Sequence, residues 1–272
     1  MDPRLQRRVQ RYGWDKAASH YERFWSQQLA PAQQKLLEMA ALGAGESVLE
    51  TACGTGLVSF PAAEAVGSGG SLVGTDISEK MVEACRAEAA RRGLKHVRFE
   101  RLDAEQLGLP GAGFDAALCA LGLMYVPDPV AAMKEMLRVL RPGGRAVSAV
   151  WGARARCGWA EIFPIVDRRV ESEVCPMFFQ LGSGENQAAV FTRAGFADVH
   201  TERLNVTLYY DSGDDAIGAA FAGGPVALAY SRFDEKTRAE AHAEYLASIA
   251  PYRQGDAYHI PGEFVVTLGL RR

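Results

Sequence analysis

Apolar positions along the chain recur with two different spacings, and the switch between them outlines the elements. Over residues 14–42, Trp14, Ala17, Ala18, Tyr21 and Trp25, and later Leu36, Leu37 and Met39, stand three and four apart, which predicts helix. Pro31 should divide this stretch into two helices, because proline lacks the N–H a helix interior needs. Residues 47–52 are a short apolar run ending in Gly54-Thr55-Gly56, a buried strand and then a tight turn. A helix over about 57–66 should stop at Gly67-Ser68-Gly69-Gly70, and residues 71–76 form a second strand. Ser78 then caps a helix whose Met81, Val82, Cys85 and Ala89 share one face, and Gly93 ends it. Strands follow at 97–102 and 114–120. Asp128-Pro129 opens a helix with Val130, Met133, Met136, Leu137 and Leu140 at helical spacing. Arg141-Pro142-Gly143-Gly144 breaks it before a fifth strand at 145–150.

Short strands without a polar face, alternating with helices, imply a parallel sheet covered on both sides, hence an α/β fold. Beyond 151 the rhythm changes. Residues 151–174 read as helix, 186–194 as a short helix, and Leu204, Val206, Leu208 and Tyr210 alternate as in an antiparallel strand. Helical stretches at about 214–231 and 234–250 precede a last strand at 264–270. The expected organisation is an N-terminal helical lid over 1–45 and a main domain over 46–272, with helical cap insertions at about 151–185 and 211–260.

Composition narrows this only a little. A chain of 272 residues, 48% hydrophobic and 23% charged, buries a full core. A net charge of -3 argues against a broad basic surface for nucleic acid. The five cysteines (53, 85, 119, 157 and 175) form no Cys-x-x-Cys pair, so they read as small apolar residues of a reducing compartment, with no metal expected. The basic N-terminus is not followed by an apolar run, and no stretch is long enough to span a bilayer. Cytoplasm is therefore the expected location.

Candidate chemistry starts at the turn after the first strand. In an open parallel sheet, ligands sit at the carboxyl ends of the strands, and glycines there let a nucleotide-like ligand approach the backbone. Asp76, at the end of strand two and 20 residues after Gly56, can accept from both hydroxyls of a ribose. It can equally serve as the acidic start of a helix. Turn and aspartate together fit any adenosine compound.

Three further features choose among such compounds: Asp103-Ala104-Glu105 after strand three, Phe114-Asp115 opening strand four, and Leu140-Arg141-Pro142-Gly143-Gly144 before strand five. In this order and at these intervals the chain resembles the class I S-adenosylmethionine-dependent methyltransferases, in the small-molecule branch of the ubiquinone/menaquinone-biosynthesis enzymes. The resemblance covers about 47–150, and Ala194-Gly195-Phe196 with Val199 matches the turn before that family's sixth strand. It implies a Rossmann-like seven-stranded, mostly parallel sheet with an antiparallel last strand, helices on both faces, an N-terminal helical lid and a helical insertion before the last strand.

The cofactor implied is S-adenosyl-L-methionine, with S-adenosyl-L-homocysteine as product. Carried over residue by residue, the pattern puts Glu50, Ala52, Cys53, Gly54 and Gly56 around its methionine part. Asp76 would take the ribose hydroxyls, and Ile77 and Met81 would pack on the adenine side. Asp103, Ala104 and Glu105 would meet the adenine, and Cys119 would lie near the sulfonium. Tyr21 in the lid helix would cover the cofactor. Ala52 replaces the first glycine of the family's Glu-x-Gly-x-Gly-x-Gly run, and an alanine there calls for negative φ.

The sequence names no indispensable catalytic residue. His20 could act as a base, Tyr21 and Tyr125 are further catalytic candidates, and Tyr125 and Trp151, just after strands four and five, could wall the acceptor pocket. Tyr258 and His259 are further pocket candidates, and Arg154 and Arg156 could read an acidic acceptor. The run Pro176-Met177-Phe178-Phe179 suggests an aromatic or lipophilic small-molecule acceptor. The acceptor atom (O, N or C) and the oligomeric state are not readable. Competing readings are a catalytically silent binding module on the same fold and a nucleic-acid methyltransferase. A nicotinamide-dependent oxidoreductase would need a third glycine where Ser59 stands, and a cation-dependent O-methyltransferase would need converging carboxylates beyond strand four.

Overall fold

Strands that are apolar on both faces must lie between two helical layers, and the chain builds that arrangement. The structure is a computed structural model that describes residues 2–170 and 177–272. Its strands are β1 (Ser47–Thr51), β2 (Ser71–Asp76), β3 (Val97–Arg101), β4 (Phe114–Ala120), β5 (Leu140–Trp151), β6 (Ala197–Tyr210), β7 (Arg253–Gln254) and β8 (Ala257–Leu270). They form one sheet in the order β3-β2-β1-β4-β5-β8-β6. The first five pair in parallel, and β8 runs antiparallel between β5 and β6. The two-residue β7 adds a hairpin to β8 that the sequence pattern does not reveal. Chain order reverses between β1 and β4, which leaves a crevice above their carboxyl ends.

The central helices start and stop where local chemistry places them. In α2 (Ser59–Val66) and α3 (Glu79–Arg92) the buried faces meet the sheet, and Ser78 Oγ accepts the Met81 N–H at 3.2 Å. Gly93 closes α3 in the left-handed region at φ 67°. In α4 (Pro129–Val139) Asp128 Oδ1 accepts from the Val130 and Ala131 N–H groups, 3.0 Å each.

Four expectations fail outside this half. The last strand, expected over 264–270, begins at Ala257, so the stretch expected as a helical cap over 211–260 ends in β7 and the start of β8. The N-terminal helix α1 runs unbroken from Pro3 to Ala40, straight through Pro31. The proline removes one hydrogen bond, but packing holds the helix on both sides of it. Leu29, Ala32 and Leu36 are buried, and the Gln28 amide both donates to the Tyr209 carbonyl and accepts from the Tyr209 N–H. Residues 151–170 are not a long helix. β5 continues to Trp151 in register with Phe264, Gly158 N–H bonds to the Pro261 carbonyl, and only α5 (Ile162–Asp167) is α-helical. The remainder of that expected helix, to Val174, lies outside the described residues, as do Cys175 and Pro176. The stretch 214–231 breaks at Gly223-Gly224-Pro225 into α7 (Gly213–Ile217, continued by a π-turn to Ala222) and α8 (Ala227–Tyr230). α6 (Asn186–Ala194) and α9 (Glu235–Ile249) follow expectation closely. No helix among the described residues is long and apolar enough to cross a membrane.

Candidate active site

The turn after β1 forms one wall of a cavity at the carboxyl ends of the parallel strands. Gly54 sits there at φ 55°. Its N–H donates to Asp76 Oδ2 at 2.9 Å, and a side chain on it would reach to within 3.8 Å of the Tyr21 ring. The turn is thus bare backbone beside the Tyr21 ring. Ala52 also lines the cavity, but its φ is 53°. The negative φ expected of an alanine is not what the fold uses. A left-handed alanine costs about 1–2 kcal/mol, so the surrounding turn must impose it. Leu121, at the end of β4 on the same cavity wall, is left-handed too, at φ 61°.

Asp76 holds its carboxylate against the cavity with residue exposure of only 7%. Backbone N–H groups of Gly54 and Ser78 (2.8 Å) orient it and leave lone pairs for a ligand. Burial pushes its pKa up to about 6. Glu50 is not on the cavity wall. It lies beneath the turn, 1% exposed, accepting from the Ser59 hydroxyl, and burial pushes it up to about 8. It therefore carries a proton at neutral pH. Ser59 thus occupies the place of a dinucleotide fold's third glycine with a structural task of its own. Gly56 and Cys53 are likewise behind the wall. A side chain on Gly56 would run into Phe60, and the Cys53 thiol is raised by its hydrogen bond with Cys85 and by burial. Cys119 is buried behind Gly122, so the expectation that it faces the reacting centre is not met.

Ile77, Met81, Asp103, Ala104 and Glu105 line the cavity together, at its edge above β2 and β3. Asp103 Oδ1 accepts the Glu105 N–H at 2.9 Å, a local turn that fixes both carboxylates. Across them lies Arg7 of α1, with Nε 2.9 Å from Asp103 and Nη2 2.7 Å from Glu105. Burial raises the Glu105 carboxyl against the opposing pull of Arg7. Asp15 of α1 accepts from Ser78 Oγ at 2.6 Å, and Gln6 donates to the Tyr125 carbonyl at 3.2 Å. The N-terminal helix is therefore fastened across the mouth at three points. Arg7 carried no signal in the sequence, since its partners stand roughly a hundred positions away.

The far side is aromatic. Trp14 meets Tyr21 and Tyr125 edge-on at 5.7 and 5.1 Å, and Tyr125 meets Phe178 at 5.4 Å. Trp151, Trp25 and Trp159 complete the wall, the last packing on Trp151 at 4.8 Å and Phe178 at 5.6 Å. Trp25 and Trp159 were not anticipated. Their indole N–H groups are buried without a hydrogen-bond partner among the described residues. Of the catalytic candidates, Tyr125 and Tyr21 line the cavity and His20 does not. His20 is solvent-exposed beside Phe24, because it lies one position from Tyr21 and so points off another face of α1. The Tyr21 phenol is pushed up by burial and by the Asp76 and Glu50 carboxyls, so it stays protonated. His259 packs on Tyr209 and Tyr258 is buried, both away from the cavity. Arg154 pairs with Glu161, and Arg156 is exposed.

A sheet reversed at β1/β4, a left-handed glycine turn and acidic residues near the ends of β2 and β3 give an open α/β domain with a crevice at its switch point. Comparison with known proteins specifies it further. Residues 48–144 match the family model described as a methyltransferase domain. Over 132 residues the chain is 36% identical to aklanonic acid methyltransferase of a Streptomyces species, covering 48% of this chain and 60% of that protein. It is 38% identical to demethylmenaquinone methyltransferase of Lactococcus lactis, over 38% of this chain and 41% of that one. The matched region thus spans about half the length of these curated relatives. A solved structure of phosphoethanolamine N-methyltransferase 2 from Haemonchus contortus, complexed with S-adenosylhomocysteine, shares the fold. Its TM-score is 0.62 at 14% identity, over 94% of this chain and 57% of that one. Over residues 48–144 the chain is thus similar to methyltransferase domains.

Proposed function

We propose that the chain transfers a methyl group from S-adenosylmethionine to a small-molecule acceptor of aromatic or lipophilic character. The observation that carries this reading is a single cavity with two unlike ends. One end has the Gly54 turn and the oriented Asp76 carboxylate, and the other has walls of Trp and Phe rings. The cofactor fits the first end by donor and acceptor chemistry. Asp76 offers lone pairs to the ribose hydroxyls, Ile77 and Met81 offer an apolar bed for the adenine, and Asp103 with Ala104 offers polar groups at its edge. Gly54 and Ala52 border the methionine part, Tyr21 covers it, and Glu105 keeps Arg7 in place. Glu50 and Gly56 shape the turn from behind.

When bound, S-adenosylmethionine supplies an activated methyl group on a sulfonium. The protein's own contribution is then to orient the acceptor and exclude water, an alignment that supplies on the order of 7–11 kcal/mol in favourable cases. Trp14, Tyr21 and Tyr125 stand between the two ends and are the residues placed to do this. α1 serves as the lid, and Trp159, Phe178, Gly224 and Pro225, from the segments expected as caps, close the acceptor chamber. The four buried free thiols among the described residues fit a cytoplasmic setting. The test is calorimetry with S-adenosylhomocysteine, followed by transfer of labelled methyl to a panel of aromatic acceptors. Micromolar binding is expected. Absence of binding would overturn the reading, and binding without transfer to any acceptor would favour a silent module.

A further inference from the structure

Two glycine-sized positions face each other across the cavity wall, and only one of them carries a methyl. Ala52 follows β1 in the left-handed region, and Gly122 follows β4; both line the cavity. A Cβ on Gly122 would overlap the Ala52 methyl and crowd the Cys119 sulfur at 3.2 Å. The space in front of Gly122 is therefore filled from the opposite strand. The same wall holds a second strained residue, Leu121, whose N–H is nevertheless kept on the Ala149 carbonyl at 2.8 Å. Non-glycine residues persist at positive φ only where the surroundings over-determine them, and such strain collects at functional sites.

We infer that Ala52 and Gly122 act as one positioning unit, the Ala52 methyl serving as the stop against which the methionine end of the cofactor rests. The inference builds on the proposed cofactor site. A glycine at 52 would relieve the backbone strain and also open a methyl-sized gap in the wall. Stability and ligand affinity should then move in opposite directions, which a purely structural alanine would not produce.

The experiment is a double-mutant cycle on the full chain, read by thermal melting and by calorimetry with S-adenosylhomocysteine. Ala52→Gly should melt higher than the wild type and bind about fourfold more weakly, the size of one buried methyl group's contribution. Gly122→Ala should melt lower, because its new methyl meets Ala52. Ala52→Gly/Gly122→Ala moves the methyl to the other strand and should recover both the fold and affinity to within about twofold of wild type, as packing is restored. The inference is overturned if Ala52→Gly binds as tightly as wild type, or if Gly122→Ala is equally harmful with alanine or glycine at 52. Should wild-type protein not bind the ligand at all, the methyltransferase reading fails instead, and the melting cycle alone decides whether the two positions are coupled.

Discussion

One end of the cavity is made of backbone turns and carboxylates at the ends of neighbouring strands, the other of rings brought together from α1, β5 and the segment around Phe178. At the first end each group is held by hydrogen bonds to residues close in the sheet: Asp76 by Gly54 and Ser78, Asp103 by Glu105. At the second, Trp159 is held by packing against Trp25, Trp151, Phe163, Phe178 and Phe179. Directional bonds fix a ligand's register, whereas apolar packing fixes a shape and tolerates exchange of side chains. The family model's match, residues 48–144, takes in the turn and carboxylates of the first end. The second is where acceptors would diverge.

The comparison breaks first, if it breaks at all, in the aromatic half. Trp159→Ala should destabilise the chain by about 3–5 kcal/mol, the usual loss for a buried tryptophan, while S-adenosylhomocysteine affinity stays within a small factor. Calorimetry below the lowered melting temperature checks this, and a parallel collapse of affinity would show that the two ends are one unit. Next in size, Asp76→Ala should weaken that ligand by roughly 1.5–3 kcal/mol through loss of charged hydrogen bonds. Unchanged affinity would remove Asp76 from the ribose role.

Glu50 gives a smaller effect with a definite sign. Its folded pKa of about 8 lies above the ordinary carboxylate value, so the folded state binds more protons than the unfolded chain between the two. Its contribution to stability is full below the ordinary value and is lost as pH rises towards about 8. Asp76, raised to about 6, acts in the same direction over a narrower window. Glu50→Gln should flatten the fall of melting temperature with pH in that range, and parallel curves for the two proteins would refute the assignment. Smallest of all, Arg7→Gln should cost under about 1 kcal/mol, since Arg7 is 34% exposed and such pairs are screened. Its sharper effect should be faster release of S-adenosylhomocysteine in stopped flow, as the lid loses one of its three fastenings. Identical release rates would mean that Arg7 does not hold the mouth closed.

Much of the first end could be read along the chain because its signals are local. The Gly54 turn, Asp76, the Ser78 and Asp128 caps and the Asp103-Ala104-Glu105 segment each depend on neighbours within a few positions. What escaped were effects of contact at long range. Pro31 reads as a break, yet burial of Leu29, Ala32 and Leu36 and the Gln28–Tyr209 bonds carry the helix through it. Residues 151–170 have helical spacing, but pairing with β8 keeps the start of that stretch extended. His20 and Tyr21 are adjacent in sequence, and only the docking of α1 decides which of them faces the cavity.

The sequence by itself determined the alternating α/β layout, the nucleotide turn and the acidic residues behind it, because strand pattern, glycine and capping chemistry act over short distances. Only the tertiary structure decided which side chains reach the cavity. Glu50, Cys53, Gly56 and Cys119 lie behind the wall, Arg7 bridges Asp103 and Glu105, and the tryptophans of three separate segments close the far end. It also decided that Ala52 adopts a glycine's conformation. The Ala52 methyl has room only because the bare backbone of Gly122 lies across from it, and no pattern along one strand carries that information.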